Sequence, residues 1–447
     1  MESASLKEML ENRSFLKLRE LLENSNAPDI SAHLDEFDGE ELIRLYRLLS
    51  KDKAADVFSY MEPDTQESLI TSMTDRELRE VMDEMYSDDA ARMIDEMPAN
   101  VVKRILHHTS PEDRAVINEL LHYPSGSAGS VMTVEFVDLK EHMTVSEAFA
   151  KIRRVGVDKE TIYICYVLDD ARTLIGTISV KTMLLSDSDT LIRDIMETNF
   201  ISINTLEDKE DAAKMFDKYD YLALPVVDTE NKLVGIITID DAVDVLQEET
   251  TEDFEKMAAV LPSDTPYFKT GVFSHAKNRI VWLVFLMLSA SITGAILTRY
   301  QDAFSAVPLL VSFIPMLMST GGNCGSQSAS LIIRGIAIDE IKTSDFFKAF
   351  FKEIRVAALV SIALALINGI RIYLTYKDIE LTLVISIALI CTVIMSKLLG
   401  CSLPLLAKKL KLDPALMAQP LITTIMDTCS MIIYFNIAVM LMGSRIG

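Results

Sequence analysis

The stretch IPMLMSTGGNCGSQ, residues 314–327, lies inside a long apolar segment yet carries two adjacent glycines, an asparagine and a glutamine. Lipid gives such residues nothing to bond to. Polar, irregular sequence at membrane depth is expected only where it packs on protein or lines a water-filled cavity. The segment therefore reads as part of a path for a polar solute. A second anomaly points the same way: Asp427 sits deep in the last apolar segment, within ITTIMDTCSMIIYF. A carboxylate there costs ~2.5–3.5 kcal/mol even on insertion scales, so a functional reason is expected for it.

Working outward, five apolar stretches reach the roughly 20 residues that a spanning helix needs: 280–298, 307–333, 354–374, 381–406 and 414–442. An odd number puts the ends of the membrane part on opposite sides. With the preceding part inside, the inner flanks carry Lys277, Arg279, Arg334, Lys342, Lys348, Lys352, Arg355, Lys408, Lys409 and Lys411. The outer flanks carry only Arg299, Arg371, Lys377 and Arg445. The positive-inside rule thus predicts a cytoplasmic N-terminal part and an external C-terminus, in the cell (inner) membrane. Lys397, about eleven residues before Lys408, is expected to snorkel to the inner surface.

Charge divides the chain. Of 43 Lys and Arg and 66 Asp and Glu, 15 and 9 lie after Gly271, leaving 28 basic against 57 acidic residues before it, a net of −29. So acidic a body is not expected to bind nucleic acid, and no signal peptide is expected in MESASLKEMLENRSFLKLRE. The five cysteines show no CxxC spacing and read as packing residues, and the six histidines form no HExxH. Asp427 has no second intramembrane Asp, Glu or His beside it, so an enzyme is not expected.

The acidic part carries two duplications. DKAADVFSYMEPDTQESLI from Asp52 recurs as DDAARMIDEMPANVVKRIL from Asp88, with Ala54, Ala55, Met61 and Leu69 each 36 residues before Ala90, Ala91, Met97 and Ile105. That period predicts stacked helix pairs in a superhelix, with the acids on a solvated face. YPSGSAGS, residues 123–130, reads as a linker. LIGTIS from Leu174 and LVGIIT from Leu233 each follow an apolar run ending in acid, ICYVLDD and LALPVVD. This order resembles a tandem pair of CBS domains over 131–249, which implies adenine nucleotide as a possible ligand, the bland alternative being a dimerising spacer. Beyond it, Asp240, Asp244, Glu248 and Glu252 are four apart, with almost no basic partner along the helix before Lys256. Like charges at that spacing repel. A cation that neutralised the stripe could act on the membrane part directly beyond it.

With these parts in place the chain resembles the MgtE family of magnesium channels. The carrying phrases are TEDFEKMAAV from Thr251, GGNCGSQSAS from Gly321, LDPALMAQPLITTIMD from Leu412 and IIYF from Ile432. The resemblance implies a multi-domain membrane protein: an acidic helical superhelix (1–130), an α/β CBS pair (131–249), an acidic connecting or plug helix (250–270, beginning at about 240) and a five-helix α transmembrane domain (271–447). It implies a homodimer that imports Mg2+ and closes when cytosolic Mg2+ binds; an ion-coupled secondary transporter is the alternative. It further implies Asp427 as the pore carboxylate and Asp220, Asp241, Asp244, Glu249, Glu252 and Asp253 as ligands of regulatory magnesium. One departure is Ser430, where the family commonly has glycine. Mg2+ keeps several waters and touches few carboxylates. A lining of Asn323, Gly325, Thr423, Thr424 and Ser430 around one Asp per subunit suits it. Asn323, Gly325, Ser326 and Ser330, with Pro420, Thr424 and Asp427, suit a helix interface between two copies.

Overall fold

Nine short helices in the N-terminal region start at three registers: Phe15–Glu23, Ala27–Leu34 and Gly39–Tyr46; Lys51–Ser59, Pro63–Ser72 and Asp75–Met82; Ser87–Glu96, Ala99–His108 and Pro111–Leu120. Each triplet begins 36 residues after the one before. The expected helix pairs are therefore triplets, repeated three times instead of twice, with Ser3–Glu11 preceding them. The starts are written in the chain. Thr74 accepts from the Glu77 N–H in a capping box, Ser110 accepts from the Asp113 N–H, and Pro63 and Pro111 occupy first turns. Leu18, Leu22, Ile30, Leu45, Phe58 and Ile70 are fully buried, one apolar stripe per helix facing a shared core.

The computed structural model describes residues 3–263, 267, 268, 270–300, 307–417 and 419–446, without the side chains of 3–5 and 444–446. The flanking Arg445 side chain and four positions of the expected 250–270 segment, 264–266 and 269, lie outside the described residues. The chain forms two units, Met1–Leu246 and Gln247–Gly447.

Within the first unit, two three-stranded sheets repeat one topology. In one, β1 (Asp138–Lys140) runs parallel to β2 (Ile164–Leu168), which is antiparallel to β3 (Leu174–Ser179). In the other, β4 (Ile203–Asn204), β5 (Ala223–Val227) and β6 (Leu233–Thr238) do the same. The acid ending each apolar run makes the hairpin. Asp169 Oδ1 accepts from the N–H groups of Ala171 and Thr173, and Asp228 Oδ1 from those of Glu230 and Lys232. Arg172 and Asn231 take the left-handed position in each turn, with φ 67° and 59°. The expected linker is built into this layer instead. Ala128 and Gly129 donate to Glu207 O (2.7 Å) and Thr205 O (2.9 Å), and a Cβ on Gly129 would stand 2.7 Å from the Tyr123 ring.

Among the described residues, the long helices of the second unit are Val272–Arg299, Ile314–Ala337, Phe346–Tyr376, Ile379–Lys409 and Gln419–Ile446. Among the described residues four stretches, Val272–Arg299, Thr343–Tyr376, Ile379–Lys409 and Pro414–Gly443, are long and apolar enough to cross a membrane. The remaining helix, Ile314–Ala337, is the one that carries the polar residues quoted above. It sits inside the unit, packed along both Ile379–Lys409 and Gln419–Ile446, and Tyr434 OH donates to Leu310 O at 3.0 Å beside it. Val272–Arg299 buries no residue in the unit and bonds to it through Thr293 and Thr428, 3.0 Å apart.

Candidate functional site

Small residues let the glycine-rich helix Ile314–Ala337 approach its neighbours. A Cβ on Gly321 would lie 2.8 Å from Ser430 Oγ, one on Gly322 3.0 Å from Thr423 Cγ2, and one on Gly325 2.6 Å from Ile422 and 2.7 Å from Ser396. Gly325 and the fully buried Ser430 thus belong to packing faces, and Gly321 supplies the room that Ser430 does not. This differs from the expectation that both line a pore. The other side of the same helix leaves Ser319, Asn323, Gln327, Ser330 and Arg334 exposed.

On Gln419–Ile446, Thr423, Thr424 and Asp427 are half-buried. They share a face by the three- and four-residue spacing. Thr423 gives its hydroxyl hydrogen to Gln419 O (2.8 Å) and Thr424 to Pro420 O (2.9 Å). Each hydroxyl therefore turns lone pairs outward, the orientation a cation or its hydration shell needs. Asn323 Nδ2 likewise donates to Ser319 Oγ, 3.4 Å away, which leaves its carbonyl oxygen to accept. Among the described residues the Asp427 carboxylate has no hydrogen-bond or ion-pair partner.

The end of the connecting helix, Ile239–Met257, lies on these elements. Met257 packs against Ala329, Ile333, Ile422 and Met426. Lys256 Nζ bonds Glu252 Oε1 (2.6 Å) and Asp413 Oδ2 (2.7 Å). Burial pulls the Lys256 pKa down, but Asp413 and Glu252 outweigh it and hold the ammonium charged. Asp413 directly precedes the turn Pro414–Met417 that leads into the Asp427 helix.

Lys397 does not snorkel. It is 5% exposed and its Nζ donates to Ser328 Oγ, 3.3 Å away. Its helix is apolar on every side, so position along the helix did not reveal which face meets protein.

At the start of the connecting helix the expected regulatory acids meet a partner that the sequence reading did not include. Arg92, half-exposed on Ser87–Glu96, reaches Asp89 (2.9 Å), Asp241 (3.5 Å) and Asp244 (3.7 Å). Thr238 Oγ1 donates to Asp241 Oδ2 at 2.5 Å. Asp88, Asp89 and Glu160 join this cluster. Burial, then Asp241, Asp89 and Glu160, pushes the Asp88 carboxyl well above its usual range. Burial, then Asp240, Asp241 and Asp89, raises Glu160 to about 8. Burial raises Asp241 to about 6 against the pull of Thr238 and Arg92. Asp88 Oδ1 and Glu160 Oε2 are buried without a hydrogen-bond partner. Such oxygens fit a cation. Yet among the described residues no three Asp, Glu, His or Cys side chains converge closely enough to hold a metal ion, so binding would have to draw them together.

Asp88 and Asp89 had a signal in the repeat. The positions 36 residues earlier are Asp52, Lys53 and Asp56, where this repeat has Asp88, Asp89 and Arg92. Asp220 stands apart in the left-handed cap after Lys209–Tyr219, with φ 54°, and Glu249 and Asp253 lie farther along the connecting helix.

The comparisons with known proteins agree with this organisation. The family model described as a divalent cation transporter matches residues 314–437, the MgtE intracellular N domain 25–126, and the CBS domain 128–188 and 192–248. The chain is 36% identical to the magnesium transporter MgtE of Thermus thermophilus, over 98% of both chains. It is 30% identical to that of Bacillus subtilis, over 96% of this chain and 95% of the other. A crystal structure of the cytosolic domain of the Mg2+ channel MgtE in complex with ATP, 36% identical, covers 55% of this chain and 100% of that one with a TM-score of 0.52. A structure of the soluble part of a magnesium transporter, 33% identical, covers 55% and 97% with the same score. The chain therefore belongs to the MgtE family of magnesium transporters.

Proposed function

We propose that two copies of this chain form a Mg2+-selective channel in the cell membrane, with the acidic domains in the cytoplasm and the C-terminus outside. The observation that carries the reading is the face of Gln419–Ile446: Asp427, without a partner among the described residues, beside two threonines whose hydroxyl hydrogens are already spent on the helix backbone. Across a two-fold axis this face and the exposed polar row of the glycine-rich helix would enclose a sparse, oxygen-lined path. One carboxylate per copy attracts the ion without caging it. Domain limits of 1–130, 131–249, 250–270 and 271–447 suit the division of labour.

Closure comes from cytosolic Mg2+. Bound among Asp88, Asp89, Glu160, Asp241 and Asp244, and by Asp220, Glu249, Glu252 and Asp253 farther off, the ion would relieve repulsion and favour a compact arrangement. A ligand shifts such an equilibrium only by its differential affinity for the two states. Lys256 and Met257, seated on the helices of the path, would transmit the change. The CBS pair is the place where we would put ATP; the 36% identical cytosolic domain was solved in complex with ATP.

The test is Asp427→Asn in proteoliposomes. Divalent uptake is expected to fall by at least about tenfold, the equivalent of 1.4 kcal/mol, while insertion becomes easier because a membrane charge is gone. Wild-type uptake by the folded variant would place the path elsewhere. A current that reverses at the Mg2+ equilibrium potential separates the channel from an ion-coupled transporter.

A further inference from the structure

One ionic group in the membrane unit serves neither the path nor the cytoplasmic cluster. Lys397 lies twelve residues before the end of Ile379–Lys409. At 1.5 Å per residue that is about 18 Å of helix, so its ammonium is far from the end that leads to Lys408 and Lys409. The Ser328 hydroxyl takes a hydrogen bond from Lys397 Nζ (3.3 Å) and gives its own hydrogen to Glu353 Oε2 (2.7 Å). Ser328 is buried on the glycine-rich helix, and Glu353 is half-buried on Phe346–Tyr376. Three helices are thus joined by one ammonium, one hydroxyl and one carboxylate. A hydroxyl can do this because it accepts from the cation while donating to the anion. Either charge alone at this depth would be costly, whereas the bridged pair is neutral as a whole.

The neighbouring contacts make the junction directional. Ser396 donates to Gly321 O, and Gly400 lies so close to Gly325 and to Ser328 Cβ, 3.1 Å from where its own Cβ would stand, that no side chain fits there. Residues 396, 397 and 400 therefore hold one face of the glycine-rich helix at three successive points. Its opposite face presents Ser319, Asn323, Gln327 and Ser330. A helix gripped along one face has the azimuth of the other face set as well, since successive residues turn by about 100°.

We infer that Lys397, Ser328 and Glu353 form a hydroxyl-bridged ion pair that fixes the rotation of the glycine-rich helix and so aims Asn323 at the passing ion. Lys397 and Glu353 are positioning residues: an ammonium cannot ligate a cation, and Glu353 Oε2 accepts from Ser328 on the packed face of the glycine-rich helix, opposite the face that carries Asn323. The inference rests on the reading that this helix lines the path.

The experiment uses the full chain in proteoliposomes and compares Mg2+ with Ca2+ uptake, normalised to monodisperse protein. Lys397→Met, Glu353→Gln and Ser328→Ala should each change the Mg2+ to Ca2+ ratio by at least about threefold, because discrimination depends on the difference between two binding energies. Ser328→Thr, which keeps the hydroxyl, should stay within about twofold. So should the double exchange Lys397→Glu with Glu353→Lys, in which Ser328 reverses its direction of donation. A helix that merely lost stability would lower the amount of folded protein and leave the ratio alone. An unchanged ratio in folded Lys397→Met overturns the inference; should that variant not fold, an unchanged ratio in Ser328→Ala does so. Asp427→Asn, measured alongside, separates the two readings. Full uptake there removes the path, whereas severe loss there with unchanged ratios in the Lys397 and Ser328 variants removes the positioning role only.

Discussion

In the unit Met1–Leu246 the carboxylates of Asp88, Asp89, Asp241 and Asp244 surround Arg92, Glu160 and Asp240 lie close to the same acids, and several of the carboxyls are raised above their ordinary range. In the unit Gln247–Gly447 Asp427 stands on a half-buried helix face, and no described group bonds to it. Both arrangements would attract a divalent cation, but to different ends. A crowded cluster gains from an ion in proportion to the repulsion removed, so it suits retention and sensing. A solitary carboxylate gains a single attraction, and the ion can leave. On the proposed function, the same residue type is thus sorted into sensor and path by what surrounds it.

The largest break in that comparison should come from emptying the sensor. With Asp241→Asn, Asp244→Asn and Glu252→Gln together, repulsion falls without Mg2+ but the bridging ligands vanish too. Lost bridging should dominate, because a bound ion attracts where an amide only ceases to repel. Patch recordings with millimolar Mg2+ on the cytoplasmic side should show the triple variant conducting; closure at the wild-type concentration would contradict the assignment. A smaller effect is expected from Arg92→Gln. Arg92 is a tethered cation already in the cluster, and its removal should leave the compact form more dependent on Mg2+. The Mg2+ concentration that half-closes the proposed channel should rise by about three- to tenfold, the size of a 0.7–1.4 kcal/mol coupling. Arg92→Lys, which keeps the charge, should fall between the variant and the wild type; a glutamine variant no different from wild type would show that Arg92 contributes no neutralisation.

The contrast also governs what could be read from the sequence. The hairpins of the CBS pair were legible because their signals are local: apolar runs, an acid at the turn, and Gly176 and Gly235 at matching places. Asp427 was legible because a membrane makes a charge conspicuous. The triplet repeat was half legible. Its 36-residue period is plain, but helices of eight to ten residues leave too few turns for apolar spacing to count them, and the caps at Thr74 and Ser110 decide the matter. Arg92 was missed and Lys397 was misread as snorkelling for one reason. Arg92 is more than 140 residues from the acids that it pairs with on the connecting helix, and Lys397 is 69 from Ser328. No local pattern announces a partner that arrives through packing.

The smallest prediction sharpens the comparison by pH. Glu160 faces Asp240, Asp241, Asp89 and Glu135, and after burial it is these charges that raise it from 4.5 to about 8; Asp241 rises from 3.8 to about 6. A carboxyl with a raised pKa holds its proton more tightly in the assembled unit than in water. Its protonation therefore favours assembly. The contribution is complete below about pH 4.5 for Glu160, and it is lost as pH rises through 8. Without Mg2+, amides at 87–91 and 239–242 of the full chain should exchange faster at pH 8.5 than at pH 6 once intrinsic rates are divided out. An excess of about two- to fivefold is expected, because solvent reaches part of the cluster and screens it. Glu160→Gln removes the titration and one repelled charge, so it should flatten the profile chiefly by slowing exchange at pH 8.5. Millimolar Mg2+ should flatten it as well, since an ion among the same carboxylates pulls their pKa values back down and competes with the proton. A glutamine variant with the wild-type slope would mean that Glu160 lies outside the electrostatic cluster, and a slope that Mg2+ leaves untouched would mean that the ion binds elsewhere.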